Sequence, residues 1–393
     1  MSLKITRQCP FMPSFVEACS RWCRRHGRLA AFDAVSAHLI SRQKRRRTMV
    51  LTGRHRASRY GRLWILLALV FTFFSFPMPG AAQLAGRPEK SNLTISYTQA
   101  SGAFTPLWVA HEAGLFKKHG LDAALKLLNS QVAAQALIAG EVDVISTGPD
   151  LVNMRLQGAP AKYIGGTLQR FIFQLWGAKG VNSLAELKGK IVAVTTPRTS
   201  TEIATREALK KTGVISDKDV SFIYVQTIPA VLSAVLGGKT SAGTLSAPNT
   251  LKARDAGLGL LLDIAQTNVP GLHLAYGTTE RTIKSNPNSL IAFLKAVAEA
   301  TVLSKQNPAV AKKAIGKYTD SDDPKMIDGT YEQFAPYWDA SLAVRSEPIQ
   351  GQLMYLDEKE FPRAKDARPA DFIDNSFAEN LKSSGFLQAL GLK

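Results

Sequence analysis

Small hydroxyl and amide side chains recur in this sequence wherever a strand-like apolar run gives way to a helical one. Ser101 and Gly102 precede the helical pattern that opens at Thr105-Pro106, and Asn129 and Gln131 follow the run Leu121 to Leu128. Ser146 and Thr147 end a short apolar run, Thr199, Ser200 and Thr201 follow Arg198, and Ser246 and Pro248 end another run. A helix N-terminus carries unpaired N–H groups and a partial positive charge, so a hydroxyl beside it makes a polar cradle suited to sulfonate, carboxylate or nitrate. Arg198 would add a charge-assisted fork. These twelve residues are the expected ligand contacts.

Bond-making chemistry finds no comparable constellation. His111, His119 and His273 are the only histidines after residue 83, and no two are close in sequence. Neither GxxxxGK[ST] nor GxSxG occurs. Cys9, Cys19 and Cys23 are the only cysteines, which leaves the rest of the chain without a disulfide, thiol nucleophile or thiolate metal site. No catalytic residue, metal or cofactor is expected. Trp108 and Tyr276 lie near candidate loops, but large aromatics in apolar patterns belong more often to a core.

The elements that position the polar loops come in two copies. In NSQVAAQALIAGEVDVISTGPD (Asn129 to Asp150), Val132, Ala133, Ala136, Leu137 and Ile138 keep helical spacing behind Ser130 as N-cap. Gly140 stops that helix, a short strand follows, and Gly148-Pro149 opens the next helix. The same order returns in TIPAVLSAVLGGKTSAGTLSAPNT (Thr227 to Thr250). Strands are also predicted at Leu93–Tyr97, Ile191–Val194, Val220–Val225, Leu260–Asp263 and His273–Gly277, with further candidates at Tyr163–Gly166 and Phe171–Trp176. Thr199-Ser200-Thr201-Glu202 reads as a capping box. Helical patterns cover Ser289–Gln306, Pro308–Tyr318 and Asp323–Trp338. Two similar α/β lobes follow, with the ligand outside the carboxyl ends of their strands.

The formal charge of +18 suggests nucleic acid only until it is located. Fifteen Lys/Arg and two Asp/Glu lie in the first 83 residues, so +13 belongs there and +5 to the other 310. Met49 begins a secretory signal pattern: Arg54, Arg56, Arg59 and Arg62, then the apolar run Leu63 to Phe76, then small residues suited to cleavage after Ala82. Fourteen apolar residues are short against the ~20 a helical span needs. Residues 1–48 fit no part of this signal and are left unassigned, on the reading that translation starts at Met49.

PLWVAHEAGLFKKHGLDAALKLL, followed by QALIAGEVDV and later by Leu187-Lys188-Gly189-Lys190 before a strand, resembles substrate-binding proteins of nitrate/sulfonate/taurine-type ABC importers. That wider family includes binders of thiamine-pyrimidine precursors. The resemblance implies a periplasmic-binding-protein-like α/β fold of type II, with two lobes, mixed mostly parallel sheets and a hinge near Gly177 and Gly277. Lobe one would combine 91–177 with 278–393, and lobe two 178–277. It implies a periplasmic, monomeric Venus-flytrap protein that captures a small organic or inorganic anion for partner permease and ATPase subunits, with no nucleic-acid partner. Two alternatives are a thiamine-pyrimidine-precursor binding or synthesis protein and the ligand-sensing domain of a signalling system. The synthases of the family carry a cysteine-rich metal motif, which this sequence lacks after Cys23.

Overall fold

The polar loops are held by ten strands in two sheets. The computed structural model describes residues 86–392, so the leader and the expected signal lie outside the described residues. In chain order the strands are β1 (Asn92–Tyr97), β2 (Asp122–Leu127), β3 (Val144–Thr147), β4 (Ala161–Arg170), β5 (Gln174–Gly177), β6 (Ile191–Val194), β7 (Ser221–Tyr224), β8 (Ala242–Leu245), β9 (Gly259–Asp263) and β10 (Pro270–Thr279).

One sheet has the order β2-β1-β3-β10-β4 and the other β7-β6-β8-β5-β9. In the first, β1 pairs parallel with β2 and β3, while β10 runs antiparallel between β3 and β4. In the second, β6 pairs parallel with β7 and β8, while β5 runs antiparallel between β8 and β9. The two sheets therefore share one plan, and each takes its single reversed strand directly after the chain arrives from the other sheet. The mixed, mostly parallel α/β architecture agrees with the expectation.

Both faces of each sheet are covered, because alternate residues of a strand point to opposite sides. Val144 joins the core that contains Trp108 and Phe293, whereas its neighbour Ile145 packs with Leu151 and Tyr163. In the second sheet Ala193 and Trp176 enter one apolar cluster, and Val192 and Leu175 the opposite one. Trp108 is fully buried and stacks on Tyr318 at 4.9 Å, and Tyr276 is also buried, so both are core residues.

Several local expectations are corrected. The predicted lobe limits at Gly177 and Gly277 fall at the end of β5 and within β10: β5 already belongs to the second sheet and β10 to the first. The chain crosses at residues 171–173 and returns between Asp263 and Pro270. The apolar run Phe171–Trp176 reads as one strand, yet only its second half pairs, because sheet membership depends on remote partners rather than on local pattern. Asn129, not Ser130, caps the helix Ser130–Ala139, its side-chain oxygen accepting from Val132 N at 3.0 Å. Thr105, expected as the N-cap before Pro106, is already helical, and Phe104 stands at the cap. Glu202 does not close a box on Thr199: Oε2 accepts from Arg198 N at 2.8 Å.

Candidate functional site

Six strand ends converge on a cavity of about 70 Å³ between the two sheets. From the first sheet come Thr98, Gln99 and Ser101 after β1, Asn129 and Ser130 after β2, and Gly148 and Asp150 after β3. From the second come Thr195, Thr196, Thr199, Ser200 and Thr201 after β6, Gln226 and Thr227 after β7, and Ser246 after β8. Phe173 on the first crossing segment, His273 in β10 and Phe104 supply aromatic walls. The polar groups thus sit where parallel strands end and helices begin, three loops from each sheet.

The loops are fixed by their own hydrogen bonds. Thr201 Oγ1 accepts from Thr195 N at 3.0 Å and lies 2.8 Å from Thr195 Oγ1. Thr199 Oγ1 donates to Thr196 O at 2.9 Å and accepts from Thr196 Oγ1 at 3.0 Å. Asp150 Oδ2 accepts from Thr147 Oγ1 at 2.7 Å, and burial raises its pKa above the ordinary carboxylate value. Tyr163 Oη donates to Gly148 O at 2.6 Å, pinning the loop that carries Asp150 from behind. His273 Nδ1 accepts from Ile172 N at 2.9 Å, which leaves the ring proton on Nε2. Burial lowers the His273 pKa to about 3, so this imidazole is neutral, and it stacks on Phe173 at 4.3 Å.

Of the twelve expected contacts, Ser101, Asn129, Thr199, Ser200, Thr201 and Ser246 line the cavity. The others do not. Gly102 serves close approach instead: its N donates to Ala247 O at 3.5 Å, and a Cβ there would meet Thr330 and Phe334 at about 2.5 Å. Gln131 and Arg198 line an adjoining surface groove that shares Ser130, Asp150, Thr196 and Thr199 with the cavity. The Arg198 guanidinium is 3.0 Å from Glu360 and lies over the Phe361 ring, so it is engaged away from the cavity. Its backbone is left-handed (φ 58°), which turns the loop before Thr199. Ser146 and Thr147 are buried one strand position behind the lining, and Pro248 caps the following helix through its backbone.

Gln99, Asp150, Gln226, His273 and the aromatic walls were not among the expected contacts. Gln99 and Gln226 stand on the loops after β1 and β7, a position that itself was a usable signal. Asp150 reads as an ordinary first-turn acid, and His273 as a mid-strand residue. Only the pairing of β10 brings that residue to the cavity.

The family model described as NMT1/THI5 like matches residues 101–311. The chain belongs to this family. A relative from Brucella abortus, named as a binding protein, is 28% identical over 264 residues, covering 67% of this chain and 73% of its own length. Among solved structures, the alkanesulfonate-binding protein SsuA from Xanthomonas axonopodis pv. citri, bound to MOPS, aligns with TM-score 0.61 at 17% identity. It covers 74% of this chain and 100% of that one. The periplasmic nitrate-binding protein NrtA from Synechocystis PCC 6803 aligns with TM-score 0.60 at 15% identity, over 78% of this chain and 92% of that one. This NMT1/THI5-like chain has the fold of periplasmic binding proteins, and these neighbours are named as binders, not as enzymes.

Proposed function

We propose that this NMT1/THI5-like chain is the extracytoplasmic solute-binding component of an ABC importer, working in the periplasm as a monomer beside separate permease and ATPase subunits. The observation that carries the reading is the convergence of three polar loops from each sheet on one small cavity. A solute touching both sets of loops joins the lobes, and closure about the two crossing segments then excludes water. The family match and the neighbours' names support the same reading. The leader pattern from Met49 to Ala82 supports export, and no helix among the described residues is long and apolar enough to cross a membrane.

Polar solutes of low mass fit the cavity, and the expected sulfonate or nitrate belongs to that size class. A closing ligand should reduce the radius of gyration in small-angle X-ray scattering and raise the thermal midpoint. At a hundredfold excess over Kd the stabilisation is about 2.7 kcal/mol. A protein whose scattering curve stays the same while a solute binds in the cleft would not work by closure. The synthase alternative gains nothing, since the sequence after Cys23 has no cysteine and no group of three metal-ligating side chains occurs among the described residues.

A further inference from the structure

A second cavity, of about 480 Å³, has no lining residue in common with the one at the strand ends. One of its walls comes from the second lobe: Trp176 on β5, Leu260 and Asp263 on β9, and the helix Asn249–Asp255. The facing wall comes from the first lobe, from the helix Pro324–Phe334 and the turn Ala335–Tyr337 that follows it. The two helices touch beside the cavity. A Cβ at Gly329 would lie 2.8 Å from Leu251 Cδ1, so the glycine lets a leucine of one lobe seat on the backbone of the other. Thr250 Oγ1 donates to Gln333 Oε1 at 2.9 Å, and Lys325 Nζ reaches Asp255 Oδ1 at 3.1 Å.

The volume is that of a small-molecule pocket, and the charges in its walls are unbalanced. Asp263 Oδ1 accepts from Ala265 N at 3.1 Å, which leaves Oδ2 without a partner among the described residues. Glu332 is exposed and forms no ion pair among the described residues. Arg254, the one cation in the lining, has its Nε 3.4 Å from Asp255 Oδ1. Beside the two carboxylates stand the rings of Trp176 and Tyr337 and the side chain of Leu260, which is 48% exposed. A cationic head would pair with a carboxylate, and an apolar body would cover the rings and the leucine. We infer that this cavity is a second binding site, for an amphipathic organic cation (an ammonium or guanidinium on an aryl or alkyl body), whose occupant touches both lobes and so favours the closed form. The site rests on its own walls and not on what the cavity at the strand ends takes, so either can fail alone.

The test titrates the mature protein with phenethylamine and, separately, with phenylacetate, a similar body of opposite charge, and follows the indole N–H resonances by NMR. After Ala82 the chain holds Trp108, Trp176 and Trp338, of which only Trp176 lines this cavity. Phenethylamine is expected to shift the Trp176 resonance saturably while Trp108 stays in place, and phenylacetate to leave both unmoved. Glu332→Gln and Asp263→Asn should each weaken phenethylamine several-fold; the asparagine keeps the oxygen that accepts from Ala265 N. At saturation the radius of gyration from small-angle X-ray scattering should fall. No saturable shift with phenethylamine, phenylacetate bound as tightly, or equal affinity in both variants overturns the site. A shift with an unchanged radius of gyration overturns its action on closure. The wild-type titrations decide the matter even if a variant fails to fold.

Discussion

The hydroxyls of Ser101 and Ser246 meet at 3.2 Å across the cleft, one from the loop after β1 and the other from the end of β8. Ser101 Oγ also donates to Ala247 O at 3.5 Å, beside the bond from Gly102 N to the same carbonyl. This seam joins the lobes, so it belongs to the closed form. A neutral hydrogen bond contributes about 1 kcal/mol net. Ser101→Ala should therefore weaken solute binding several-fold in a calorimetric titration while leaving the ligand-free unfolding midpoint near wild type. Equal affinity in Ser101→Ala and Ser246→Ala would remove the seam from closure.

Gly148 makes a second close approach. A Cβ there would lie 2.3 Å from Ser200 Oγ, 3.0 Å from Leu272 O and 3.2 Å from His273 O. The serine hydroxyl can rotate away, but the carbonyls of β10 must shift. Gly148→Ala is expected to lower affinity roughly tenfold through overpacking at the lobe contact. The double variant with Ser200→Ala should recover part of it. No recovery would place the strain within the first lobe alone.

His273 gives the fold a pH dependence of definite sign. Its folded pKa of about 3 lies below the ordinary 6.5, so the unfolded chain takes up a proton that the folded chain refuses. Stability contributed by this group is complete above pH 6.5 and is lost as pH falls towards 3, by about 2 kcal/mol down to pH 5. Asp150, raised by burial, contributes with the opposite sign. The quantity to measure is thus the difference in urea unfolding between wild type and His273→Gln at pH 7 and pH 5. Parallel pH profiles for the two proteins would show that His273 is not the responsible group.

Arg198 and Glu360 form a half-exposed pair outside the cavity, of the kind worth 0–1 kcal/mol. Arg198→Ala should cost no more than a few-fold in affinity, and the difference should shrink as salt is added. A loss of a hundredfold would return the guanidinium to the solute.

Much of the architecture was legible because its signals are local. Asn129 before a helical repeat, Gly140 after it and the polar loop beyond β3 announce themselves through spacing and capping chemistry. The second copy at Thr227 to Thr250 confirmed the plan within the same sequence. Half of the expected site residues line the cavity because strand ends can be found from pattern alone. Side-chain direction cannot: Arg198 turns outward on a left-handed backbone, and Thr147 spends its hydroxyl on Asp150. His273 and Phe173 reach the cavity only through pairings between remote strands, and the split of Phe171–Trp176 between two sheets has no local signature.

The crossing pattern also sets an order of assembly during synthesis. All five strands of the second sheet lie between Gln174 and Asp263, an unbroken stretch, whereas the first sheet lacks the strand between β3 and β4 until Pro270–Thr279 is made. On a ribosome stalled once Asp263 has cleared the exit tunnel, amides of β6 and β8 should resist hydrogen exchange before those of β3 and β4 do. The lobe that begins first must wait, with its sheet open along the β3 edge, for the inserted lobe to finish and hand the chain back.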